Sequence, residues 1–400
     1  MVSRTTERGG STKVRFGEVV RLSTERCGDP VAAGIDRYVG LEHLEPNDLR
    51  IRSWGNVADG VTFTNRFRPG QVLFGKRRSY QRKVAVAGFD GICSSDIYVF
   101  EPVDDRLMPE LLPFICQTEG FFEHALKTSA GSLSPRTNWA SLADYEFRLP
   151  RLEQQAALAH SCHALQTTLD AYRLALRQSI SARDALLVHL YERGTQGEQR
   201  RVTPLGLLPE SWKVLPLQAR YDVQLGKKLS PTAALNGDVR PYLRNENVDW
   251  NRLDLSDVNE MCFTTDERAK VELRPGDIVA CEGRHVGKAA MWLGEIPGMC
   301  CQNTLHRLRA LSDEDVPDFM LHCLRYFHVS RRFVVDTAAS TIPHLTLDRF
   351  RPMLFPFPTR KEQAEIAAKV QSFDDQTKAI GIRLHQVRRL LQRIAEGSFS

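Results

Sequence analysis

The sequence sets out its plan twice, and this duplication constrains the fold more than any single motif does. Ser11, Lys13 and Val14 lie on Ser211, Lys213 and Val214 at an offset of 200 residues. RYVGLEHL (37–44) lies on PYLRNENV (241–248) at 204, pairing Tyr38 with Tyr242 and Glu42 with Glu246. FRPGQVLF (67–74) matches LRPGDIVA (273–280) at 206, and GICSSD (91–96) matches GMCCQN (298–303) at 207. LPRLEQQAALA (149–159) then matches FPTRKEQAEIA (357–367) at 208, with Gln155 and Gln363 identical. The matches keep one order while the offset drifts slowly, which is what small loop insertions between two copies of one ancestor would leave.

Within each copy the pattern changes once. Short β-type runs separated by Gly, Pro, Asn and Asp (VRFGEVVRL, QVLFG, KVAVAGF, DIYVF) predict a strand-rich mixed domain over 1–150 and again over 212–358. A heptad stripe follows in both copies. In 151–193 the a/d positions are Leu158, Cys162, Leu165, Leu169, Tyr172, Leu176, Ser179, Arg183, Leu186 and Leu190. In 359–398 they are Ile366, Val370, Phe373, Thr377, Ile380, Leu384, Val387, Leu391 and Ile394. Four to five uninterrupted heptads exceed the three or four turns of an ordinary globular helix, so the two stripes are read as each other's partner. Pro150 and Pro358 open the helices, while Gly194 and Gly397 mark their ends. Residues 194–211 form a linker. The expected fold is mixed α/β: two recognition domains in a tandem pseudo-two-fold repeat, separated by an antiparallel coiled coil of two helices, each about 60 Å long.

Composition narrows the setting. A chain of 400 residues with 42% hydrophobic and 26% charged residues can fill two cores. There is no apolar run near 18 residues, and MVSRTTERGGSTKVRF lacks the apolar stretch of a secretory signal, so the expected location is the cytoplasm, with no membrane partner. Nine cysteines, an odd number without a CxxC, read as buried small hydrophobes. The net charge of +5 is too small for a polycation that coats nucleic acid, so any DNA binding has to come from local patches.

Chemistry-bearing motifs are scarce. Neither GxGxxG nor GxxxxGK[ST] occurs, nor does the Asn/Asp-Pro-Pro-aromatic tetrapeptide of amino-methyltransferases, nor a GxSxG elbow. Asp277, Glu282 and Arg284 faintly suggest a metal nuclease, but the first copy has Gln71 and Lys76 in place of the two carboxylates. His160, Cys162 and His163 crowd one helix without sharing a face, and His322/Cys323 and Cys300/Cys301/His306 lack ligand spacing. No catalytic residue and no metal site is expected.

Basic loops are better represented. KRRSYQRK (76–83) brings Lys76, Arg77, Arg78, Arg82 and Lys83 around Tyr80, and its counterpart EGRHVGK (282–288) keeps Arg284, His285 and Lys288 near two glycines. Arg136 and Asn138 in SPRTN, Lys227 and Lys228, and Arg244 with Asn245 are further candidates, because Arg and Lys contact guanine or phosphate and Asn can pair with adenine. The helical stripes agree between copies while the loops diverge. Two unlike reading surfaces on one frame suit an asymmetric two-part DNA site. The competing reading is a non-catalytic coiled-coil scaffold whose two domains bind proteins.

Taken together, RYVGLEHL and RPYLRNENV, RPGDIVACEGRHVGK (274–288), the EQ-containing openings of both helices and GLLPESWKV (206–214) resemble the specificity subunit of type I restriction-modification enzymes. The resemblance runs from Lys13 to Ser398. It implies two target-recognition domains and a non-catalytic role. It also implies two copies of an adenine methyltransferase as partners, which supply the S-adenosylmethionine site, and a complex that can recruit an ATP-dependent restriction and translocation subunit. On that resemblance the helices serve as spacer and docking surface, and this chain needs no cofactor of its own. GSLSPRTN (131–138) and AASTIPHL (338–345) diverge from each other, as does the start of the first copy, which lacks Pro209 and Trp212 equivalents.

Overall fold

The computed structural model describes residues 10–131, 134–229, 237–333 and 344–400. They divide into two compact units: Met1–Leu174 with Gly381–Ser400, and Ala175–Ile380. The charged N-terminal nonapeptide and most of AASTIPHL lie outside the described residues.

In the first unit, β1 (Thr12–Arg15) pairs antiparallel with β10 (Glu146–Leu149), closing the domain at the foot of the long helix. Between them lie α1 (Phe16–Val19), β2 (Val20–Leu22), β3 (Arg37–Val39), β4 (Gly55–Asn56), β5 (Asn65–Phe67), β6 (Val72–Gly75), β7 (Val84–Val86), β8 (Gly91–Cys93) and β9 (Ile97–Pro102). The helices α2 (Leu112–Ile115), α3 (Glu119–Lys127) and α4 (Trp139–Ala143) follow β9. One sheet runs β2-β9-β6-β7 and a second β4-β3-β8-β5. Phe16, Phe74, Phe100 and Phe121 are fully buried together, with Phe16 edge-on to Phe100 at 5.4 Å.

The second unit repeats this order. The hairpin β11 (Arg200–Thr203) and β12 (Gly206–Pro209) leads into β13 (Lys213–Pro216), β14 (Tyr221–Leu225), β15 (Asp238–Leu243), β16 (Val248–Asp249), β17 (Arg252–Leu253) and β18 (Asn259–Phe263). After α6 (Thr265–Val271) come β19 (Ile278–Cys281), β20 (Ala289–Met291), β21 (Cys300–Cys301), β22 (Leu305–Ala310), α7 (Pro317–Val329), α8 (Leu347–Phe350) and β23 (Leu354–Phe357). The sheet β14-β22-β19-β20 has the same strand order as β2-β9-β6-β7, and β13 pairs with β23 as β1 does with β10.

The ladders correct two of the string alignments. Tyr38 sits opposite Ile92 and Tyr242 opposite Cys300, so Gly91-Ile92-Cys93 corresponds to Met299-Cys300-Cys301, one residue later than the match of glycines suggests. Gly298 instead takes a left-handed turn at φ +72°, which glycine adopts without strain. Likewise Thr12 faces Leu149 as Lys213 faces Phe357, so Lys213 corresponds to Thr12 and not to Lys13.

The long helices are α5 (Leu152–Arg193) and α9 (Arg360–Phe399). Gly194 ends α5 at φ +66°, as expected. Gly397 does not end α9, which runs on to Phe399 because that ring is buried against the first unit's core. The expected linker 194–211 also folds, into the β11–β12 hairpin.

Within the first unit, Cys162 and Leu169 of α5 are buried with Leu391 of α9, and Leu158, Leu165, Leu384, Val387 and Ile394 pack against the same cluster. Within the second, Leu190 is buried with Ile366 and Val370, with Leu186 packed beside them. Ser179 Oγ meets Thr377 Oγ1 at 2.7 Å, and Arg183 Nη1 meets Asp374 Oδ1 at 3.1 Å. One helix's numbers rise as the other's fall, so the pairing is antiparallel. Tyr172, Leu176, Phe373 and Ile380 are half-buried. Leu187 and Tyr191 are also buried, beyond the heptad positions, because the C-terminal end of α5 packs on the core of the second unit, around Trp212, Tyr221 and Phe319, as well as on α9.

Candidate nucleic-acid interface

The loop after β6 is fixed at both ends. The Lys76 N–H donates to Asp96 O (3.0 Å), the Thr137 N–H to Lys76 O (3.0 Å), and Arg77 forms a bridge with Arg136. The loop after β19 is fixed in the same way. Glu282 N–H donates to Thr304 O (2.9 Å), Leu345 N–H to Glu282 O (2.7 Å), and Gly283 bridges His344. SPRTN and the segment holding His344 therefore occupy the same place although their sequences diverge. The strap each of them forms was hidden in the sequence, because backbone pairing carries no side-chain signature.

Most of the basic candidates are engaged within the protein. Lys76 Nζ lies 4.7 Å from the Tyr98 ring centre, and Arg77 bonds Ser134 Oγ at 2.7 Å and pairs with Asp96 at 3.4 Å. Arg82 pairs with Glu119 at 2.7 Å over the Phe122 ring, and Lys83 Nζ donates to Leu41 O at 2.7 Å. Arg136 pairs with Asp96 at 3.0 Å, and the two guanidiniums hold the Asp96 carboxyl below the ordinary carboxylate range against the opposing effect of its partial burial. Asn138 caps α4, accepting the Ser141 N–H at 2.8 Å, so its side-chain oxygen is committed. Arg78 is exposed, with its Nε on Ser134 Oγ at 3.2 Å, and Tyr80 stands 54% exposed beside it.

In the second unit, Lys227 is buried, donating to Cys262 O (2.8 Å) and pairing with Glu267 (2.7 Å), while Lys228 is exposed. Arg244 pairs with Asp257 and, at 3.6 Å, with Glu246. Asn245 braces the loop by donating to Gly283 O at 3.1 Å. Lys288 pairs with Asp249 at 3.2 Å, His285 is exposed, and Arg284 is 67% exposed with Glu246 3.7 Å away. Asn245, Glu246, Arg284, His285 and Lys288 line one open polar cavity of about 210 Å³.

The carboxylates that suggested a nuclease serve the framework. Asp277 is 1% exposed and takes Arg309 on both oxygens at 2.8 and 2.7 Å. Glu282 lies 3.7 Å from His344, and partial burial raises its carboxyl above the ordinary range. Cys162 is in the first unit's core while His160 and His163 are exposed, and among the described residues no group of three His, Cys, Asp or Glu could hold a metal ion. Nor is any described helix long and apolar enough to cross a membrane.

Residues 210–387 match the family model for the type I restriction modification DNA specificity domain. The chain is 26% identical over 194 residues to the type I restriction enzyme EcoDI specificity subunit of Escherichia coli, covering 46% of this chain and 41% of that protein. It is 25% identical over 185 residues to the putative MjaX specificity subunit of Methanocaldococcus jannaschii, covering 44% of this chain and 43% of that one. These alignments span less than half of either relative. A third, to the MjaVIII specificity subunit of the same organism, is 20% identical and covers 88% of this chain and 79% of the relative. Among solved structures, a chain described under complex assembly and conformational transition of the type I R-M system matches with a TM-score of 0.56 at 20% identity, over 97% of each chain. The type I S subunit from M. genitalium matches with a TM-score of 0.55 at 13% identity, over 100% of this chain and 98% of that one. At such identities the structural likeness speaks for the fold.

Proposed function

We propose that this chain, whose residues 210–387 match the family model for the type I restriction modification DNA specificity domain, reads a two-part, asymmetric site in double-stranded DNA, one half per unit. One observation carries this reading: each unit straps its β6- or β19-following loop to a neighbouring segment and presents an exposed arginine there, Arg78 or Arg284. Neighbouring cations are occupied by carboxylates, carbonyls or rings, which suits them to shaping the loop and adding positive potential near phosphates. The chain itself is non-catalytic and cytoplasmic in this proposal. Its helices dock two adenine methyltransferase subunits, which hold S-adenosylmethionine, and the assembly can add a restriction and translocation subunit using ATP and Mg²⁺.

The test is the salt dependence of duplex binding by the chain assembled with its modification subunit. Binding through phosphates releases counterions, so the logarithm of affinity should fall linearly with the logarithm of salt, with a slope of about −0.9 per phosphate contacted. A flat dependence, or no duplex binding by an intact complex, would favour the protein scaffold.

A further inference from the structure

Six residues other than glycine lie at positive φ among those described, and four of them form two pairs in the repeat, Asn47 with Asn251 and Arg78 with Arg284. Arg78 has φ +55° and Arg284 φ +58°. The offset of 206 that aligns the Arg-Pro-Gly turns runs unbroken through β6 and β19 to these two arginines. The left-handed region is costly for a long side chain and routine for glycine, asparagine or aspartate. A turn that needed only the backbone shape would be served by one of those. Two loops of different sequence and length instead keep arginine at this position.

The surroundings explain how the conformation is held and what it leaves available. The straps from Thr137 and Leu345 fix the residue two places before each arginine, and the bridges Arg77–Arg136 and Gly283–His344 fix the one immediately before. In the first unit the Arg78 N–H is also taken by Pro135 O at 2.8 Å. Both side chains remain exposed. Among the described residues, the Arg78 side chain meets Ser134 through Nε, and that of Arg284 has a loose contact to Glu246 at 3.7 Å. Arg82 shares the positive φ but not the availability, since its guanidinium lies over Phe122 and pairs with Glu119.

We infer that Arg78 and Arg284 are the specificity-determining residues of their units, each offering its guanidinium to the O6 and N7 edge of a guanine in one half of the site. This deepens, and rests on, the DNA-reading role proposed above. A fixed backbone limits the arc the guanidinium can sweep, and bidentate recognition of guanine requires that limitation, whereas a phosphate contact tolerates a mobile side chain.

The test co-expresses the full chain with its modification subunit in cells lacking other methylation and maps N6-methyladenine at single-base resolution. The variants are Arg78→Gly and Arg284→Gly. Glycine suits the left-handed backbone, so the thermal midpoint is expected to hold or rise while the guanidinium is lost. The wild-type chain should yield a two-part motif with a G·C pair in each half. Arg78→Gly should relax one such pair by tenfold or more, and Arg284→Gly should relax one in the other half. An unchanged motif in both variants would overturn the inference, as would a uniform fall in methylation with no position relaxed, the signature of phosphate contact. Absence of any motif from the wild-type complex would instead remove the DNA-reading role beneath it.

Discussion

Gln155 and Gln363 make the same three hydrogen bonds, one residue in each unit. Oε1 accepts the N–H of Met108 or Val316 at 2.9 Å in both, and Nε2 donates to Pro150 O and Arg106 O or to Pro358 O and Glu314 O. Both side chains are 1% exposed, so alanine at either position strands buried backbone groups at a cost of about 1–3 kcal/mol. Gln155→Ala should speed hydrogen exchange at Met108 and Gln363→Ala at Val316, each leaving the other unit unchanged; unaltered exchange would remove the latch. The identity of these glutamines is legible from the repeat, but their role is not, since an exposed polar residue on a helix would read the same. Buried histidines give a second test. Burial lowers His306 and His322 to about 4, and the Nε2 of His306 bonds Leu345 O at 2.7 Å. The unfolded chain takes up these protons near 6.5 and the folded chain only near 4, so stability of the second unit is full above about pH 6.5 and falls as pH drops towards 4. His322 corresponds in the repeat to Phe114, and His322→Phe should flatten that loss in a pH series of urea titrations. An unchanged pH slope would contradict the buried neutral state.

At the scale of elements, the heptad stripes were the most legible feature, because the spacing of Leu158 to Leu190 and Ile366 to Ile394 survives in the packed helices. Two polar insertions in the stripe find partners: Ser179 meets Thr377, and Arg183 meets Asp374, which also pairs with Arg325 at 3.2 Å. The Arg183 side chain is 6% exposed and that of Asp374 12%, so Asp374→Ala leaves two buried guanidiniums without their shared carboxylate and should cost about 3–5 kcal/mol in chemical unfolding. A loss near zero would mean that water replaces the pair. What the sequence could not reveal lay in the turns. Glycine matched to glycine placed β21 one residue early, because a turn glycine and a strand glycine look alike as letters. Composition reads 194–211 as a linker, and the β11–β12 hairpin escapes it because strand pairing depends on register, which composition does not record. In the candidate interface the arginines were visible, yet only the fold separates Arg78 and Arg284 from Lys83, Arg82 and Lys227, whose charges are already used.

For the molecule as a whole, duplication supplies two scaffolds with the same sheet order and the same loop straps, and divergence of the loops supplies two different surfaces. A net charge of only +5 over 400 residues fits local reading rather than diffuse adhesion. The measurement that bears most directly on this account is the methylation map of cells carrying the chain and its modification subunit, compared with the same cells after substitution of the 76–83 loop. N6-methyladenine is expected in an asymmetric two-part motif that depends on this chain, with one half altered by the loop substitution and the other retained. Methylation that ignores the substitution, or no new methylation despite a stable complex, would contradict it.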